Sequence, residues 1–133
     1  MKPEKRKCGR FEIPGATLNY KKKRFLFNQT SEDEEVCPVL NLSLGGVNFL
    51  SHKILEKRGE LTLRLFFPGK ETAPLIIKGK VSHSSLSTGK SYKYMHGITF
   101  HPYGERKGNN ENSILEKLKS LEAIYKAKTI QEE

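Results

Sequence analysis

Leu61-Thr62-Leu63-Arg64-Leu65-Phe66-Phe67 alternates apolar and polar residues from Leu61 to Leu65, the period of a strand with one face buried and one in water. Pro68-Gly69 follows with turn chemistry, so the chain reverses there. Leu75-Ile76-Ile77-Lys78-Gly79-Lys80-Val81-Ser82-His83 is the next predicted strand, and Gly79 inside it marks a bulge or a close approach of another backbone. Ser87-Thr88-Gly89 reads as a hairpin loop. Tyr92 to Phe100 then returns as a strand, with Tyr94, His96, Ile98 and Phe100 on one face and Met95, Gly97 and Thr99 on the other.

The residues upstream extend the same pattern. After the interruption at Pro14-Gly15, a strand is expected from about Ala16 to Phe27, favoured by Thr17, Tyr20, Phe25 and Phe27. Lys21-Lys22-Lys23-Arg24 within it reads as a charged outer face rather than an anionic docking patch. The acidic run Ser31-Glu32-Asp33-Glu34-Glu35 reads as a solvated hairpin tip. Val36 to Leu42 is a second strand, Gly45-Gly46 a turn at positive φ, and Val47 to Leu50 a short third strand. Beyond Pro102-Tyr103-Gly104 the character changes. Ser113-Ile114-Leu115-Glu116 matches a capping box, and Ile114, Leu115, Leu118, Leu121 and Ile124 or Tyr125 recur at helical spacing to about Ala127. The expected fold class is mainly β: a six-stranded antiparallel barrel with a C-terminal α-helix. The organisation expected is a flexible basic leader over residues 1–10, the barrel and helix over 11–127, and a tail over 128–133.

A chain of 133 residues suits one domain with a real core. Its apolar runs fall short of a bilayer span, and the charged start Met1-Lys2-Pro3-Glu4-Lys5 has no apolar signal region behind it, so the expected location is the cytoplasm. In that compartment Cys8 and Cys37 are expected to be free thiols. His52, His83, His96 and His101 are scattered and read as surface or rim residues, not metal ligands. With no nucleophile–base pair or carboxylate dyad at meaningful spacing, neither an enzyme nor a cofactor is expected. The formal net charge of +9 specifies the sign of a partner, an anion, without its identity.

Two short pieces narrow that identity. Arg6-Lys7-Cys8-Gly9-Arg10 places two guanidiniums on the leader, and Asn41-Leu42-Ser43-Leu44-Gly45-Gly46 places an amide and a hydroxyl at a strand end before a glycine turn. Forked cations beside small hydrogen-bonding groups suit phosphates and purine edges. Each piece alone has an ordinary explanation, a solvated tail or side chains bonded to the local backbone. Their combination and order resemble the signature of PilZ domains, the bacterial receptors for cyclic di-GMP: RxxxR followed by [D/N]xSxxG. Gly59-Glu60-Leu61-Thr62-Leu63 and Tyr94-Met95-His96-Gly97-Ile98-Thr99-Phe100 are similar to two further strands of that family.

The resemblance implies a cyclic di-GMP site on the outer face of the barrel, with the leader folding over the ligand. Carried across, Arg6 and Arg10 would hold the phosphates and the O6/N7 edge of guanine, Asn41 and Ser43 would bond the ligand from the barrel, and Gly46 would permit its close approach. Asn41 stands where many members have Asp, a departure the family pattern permits; it lacks the carboxylate charge, and binding is expected to survive the change. Lys5 is a further handle, at a position the family associates with ligand stoichiometry. The implied output is a surface read by an unidentified downstream protein of motility, exopolysaccharide production or attachment. The alternatives are a PilZ-fold scaffold acting through protein contacts and, less favoured, a basic barrel binding nucleic acid.

Overall fold

The protein is described here by a computed structural model covering residues 9–23, 30–68, 73–89 and 91–132. Its elements in chain order are β1 Thr17–Lys23, β2 Thr30–Leu42, β3 Gly46–Ser51, β4 Glu60–Phe66, β5 Leu75–Leu86, β6 Tyr94–Phe100 and α1 Asn112–Glu132. Every pairing is antiparallel, and the order β1-β2-β3-β6-β5-β4 closes on itself because β4 also pairs with β1. The expected architecture is therefore present: mainly β, a closed six-stranded antiparallel barrel with one C-terminal helix. Closure leaves this sheet without an edge strand open to other chains.

The alternation that announces β4 also builds the core. Leu61, Leu63 and Leu65 point inward while Thr62 and Arg64 keep partial access to water. Leu18, Tyr20, Cys37, Phe49, Ile77, Val81 and Ile98 fill the interior from the other strands. Phe11 and Ile13 are buried with them, and Phe11 exchanges backbone hydrogen bonds of 2.8 and 2.9 Å with Leu42. The chain just after Arg10 is thus part of the barrel. On α1, Leu118 is fully buried, and Ile114, Leu121 and Tyr125 pack half-buried beside it. No helix among the described residues is long and apolar enough to cross a membrane.

Local expectations need correction in several places. The acidic run is not a hairpin tip: β2 starts at Thr30, and its register sets Ser31 opposite Lys22, Glu32 opposite Lys21 and Asp33 opposite Tyr20. The pairing partners belong to a different strand, which the run considered alone does not reveal. Residues 24–29, including Arg24 and the expected strand end at Phe27, lie outside the described residues.

The helix continues to Glu132 instead of giving way to a tail at residue 128. No glycine or proline follows Ser113 to stop it. Ser113 is not the cap. Its hydroxyl bonds the Glu111 carboxylate at 3.4 Å, and the Ile114 N–H donates to the Glu111 carbonyl at 3.0 Å, so the first turn begins earlier. Cys37 is buried, its Sγ 3.8 Å from the Glu35 carbonyl oxygen, while Cys8 lies outside the described residues.

His96 is not a rim residue but a fully buried one. Its Nε2 lies 2.8 Å from the Lys53 carbonyl oxygen, which can only accept, so Nε2 carries the proton. Nδ1 then accepts from the Ser84 hydroxyl at 2.6 Å. Burial holds this imidazole below the usual histidine range; the Lys53 carbonyl and the Glu35 charge offset part of that effect, and His83 adds to it. As pH falls, the unfolded chain takes up this proton before the folded one does. The contribution is therefore fully present above the ordinary histidine range and is lost as pH falls from that range toward the lower folded value, by up to about 1.4 kcal/mol per pH unit. Urea midpoints measured from about pH 7.5 to about pH 5.5 should show this slope, and His96→Gln should flatten it.

Candidate functional site

Strand registry, more than sequence proximity, assembles the site. In β2 the partner of Val39 is Phe49 and that of Asn41 is Asn48, so Leu40 is an extra residue, a β-bulge. The bulge reverses the inward–outward phase, so that Asn41 turns outward while Leu42 is buried. In β5 the partner of Val81 is Ile98 and that of His83 is Gly97, leaving Ser82 as a second bulged residue. The Ser82 hydroxyl anchors this bulge on the Gly97 carbonyl at 3.0 Å. Without it His83 would share the inward face of Val81; with it the ring is exposed.

The pairings Asn41 with Asn48, Asn48 with Gly97 and Gly97 with His83 make one row across β2, β3, β6 and β5. Asn48 Nδ2 donates to Asn41 Oδ1 at 2.8 Å. That bond leaves an NH2 donor on Asn41 and a carbonyl acceptor on Asn48 for a ligand. The His83 ring lies over Gly97 so closely that a Cβ there would overlap it.

Ser43 closes the β2–β3 hairpin. Its N–H donates to the Gly46 carbonyl at 2.9 Å, and its hydroxyl accepts from the Gly45 N–H at 3.1 Å, the local backbone role such a motif often has. Neither Gly45 nor Gly46 has positive φ, contrary to the expectation for this turn. Gly46 is instead fixed by proximity: it pairs with Thr99, and a Cβ on it would collide with the Ile98 carbonyl oxygen.

Arg10, Asn41, Ser43 and Gly46, with Asn48 and His83, line one cavity of about 230 Å³. Arg10 is exposed there and is held near it by the Phe11–Leu42 bridge. One residue earlier, Gly9 lies against Lys126 of α1, whose Nζ would be 2.5 Å from an added Cβ. Arg6 and Lys5 lie outside the described residues. Asn48, Ser82, Gly97 and His83 join the site without having been singled out as site residues in the sequence: the β5 bulge turns out Ser82 and His83, and strand register brings Asn48 and Gly97 into the row with Asn41. A larger cleft of about 520 Å³ is lined by Lys22, Glu56 and Glu60 with Ile54, Leu55 and Val81, and holds none of the residues of the two motifs. No cluster of metal-ligating side chains occurs among the described residues.

Compared with known protein families and with curated proteins, the chain gives no match.

Proposed function

We propose that the chain is a nucleotide receptor of the PilZ kind, not an enzyme, and that its ligand is cyclic di-GMP. The observation that carries this is the convergence of Arg10, Asn41, Ser43 and Gly46, from two separate sequence motifs, on one cavity. A guanidinium beside neutral amides suits a phosphate next to a purine edge, because it bonds either one bidentately. The Asn41–Asn48 pair answers the missing aspartate: Asn41 donates to guanine O6, and Asn48 Oδ1 accepts from the N1–H and N2–H edge. At about 230 Å³ the cavity is smaller than the roughly 300–1,000 Å³ that encloses a drug-sized ligand. It would take a base and a phosphate, with the remainder lying under the leader that carries Arg6 and Lys5. The leader closed over the ligand is the surface a downstream protein reads.

Isothermal calorimetry with cyclic di-GMP tests this. Wild-type protein should bind, and Arg10→Ala should bind roughly ten- to a hundredfold more weakly, the loss of about 1.5–3 kcal/mol expected for a charge-assisted contact. A silent wild type would leave the scaffold alternative in place of a receptor. Equal binding by the variant would remove Arg10 from the site.

A further inference from the structure

We propose that His83 makes ligand binding at this cavity proton-linked, its imidazolium joining Arg10 as a second cation on the bound anion. This rests on the receptor assignment above and extends it to regulation. The ring is exposed, lines the same cavity as Arg10, and is aimed there by a bulge instead of following the inward phase of Val81. Gly97 supplies the flat floor beneath it, and the Ser82 hydroxyl bonded to the Gly97 carbonyl holds the bulge in register. Two independent features, a bulge and a side-chain-free partner, thus place one imidazole at the site.

The groups around it decide the direction of the effect. From the leader comes Arg10, a permanent cation; from β2 and β3 come the neutral Asn41 and Asn48; from β6 comes the neutral Thr99. His96, on the inner face of β6, is a second imidazole near enough to feel a charge on His83. Lys80, on β5 beside Thr99, is a further cation. Among the described residues no carboxylate lines the cavity. A phosphate bound beside the ring favours the imidazolium, so binding takes up a proton, and affinity rises as pH falls through the range where histidine titrates. Phosphodiester and guanine keep their charge states across that range, so the dependence belongs to the protein.

The test is calorimetry with cyclic di-GMP from about pH 8 to about pH 6, run in two buffers of different ionisation enthalpy to count protons. Wild-type affinity should rise about tenfold toward the acidic end, with net proton uptake. His83→Gln should bind with a flat profile and no uptake. His83→Phe, which keeps a ring without a titratable nitrogen, should be equally flat. Circular dichroism at each pH would confirm that the barrel remains folded. Wild-type binding that is independent of pH, or a slope that persists in His83→Gln, overturns the linkage while leaving the receptor standing. No binding at any pH overturns both.

Discussion

Asn110→Ala is expected to lower the unfolding free energy by about 3–4 kcal/mol, read as a fall in the urea midpoint at unchanged slope. Asn110 is buried, and its side chain behaves as a piece of strand. Oδ1 accepts from the Lys78 N–H at 2.8 Å, and Nδ2 donates to the carbonyls of Lys78 and His101, each at 3.0 Å. Its backbone closes the same loop, donating to the Pro102 carbonyl at 2.8 Å and accepting from the Gly104 N–H at 2.9 Å. The amide therefore fastens the connection between β6 and α1 onto β5. Alanine removes three bonds and leaves the Lys78 N–H without its partner, and an unsatisfied buried donor costs more than the bond itself was worth. Asn110→Asp should be no better at neutral pH. It restores the acceptor but turns an oxygen toward two carbonyl oxygens.

How far the sequence carried this molecule depends on whether the deciding information was local. Leu61 to Leu65 declares β4 because burial on one face writes itself into alternate residues, and Ile98 and Phe100 do the same for β6. Arg10, Asn41, Ser43 and Gly46 were legible as a set because each belongs to a short motif. His83 and Asn48 were not. The bulge at Ser82 turns His83 outward and the bulge at Leu40 sets Asn41 against Asn48, and a bulge is a property of two strands in register, not of one strand's composition. His96 misled for a related reason: what permits its burial is a carbonyl at Lys53 and a hydroxyl at Ser84, both remote in sequence. The acidic run before Val36 misled because the lysines opposite it belong to β1.

Gly46→Ala is expected to destabilise the barrel by about 3 kcal/mol, and Gly45→Ala to leave it unchanged or raise its stability by about 0.5 kcal/mol. The two neighbours are alike in sequence and opposite in surroundings. A methyl on Gly45 meets nothing within 4 Å. One on Gly46 runs into the Ile98 carbonyl oxygen, which belongs to the β3–β6 ladder and cannot rotate away as a side chain would. Relief requires the strands to part at Gly46–Thr99, beside the Phe100 N–H that donates to the Gly45 carbonyl at 2.9 Å. Thermal or urea melts of the two variants separate the possibilities. If Gly46→Ala melts with the wild type yet loses cyclic di-GMP, the glycine serves the ligand's approach, as the motif's resemblance implies. If it melts early, as expected, the glycine serves the sheet first, and its place in the motif reflects a barrel that must be packed flat at this point before Asn41, Ser43 and Arg10 can share a cavity.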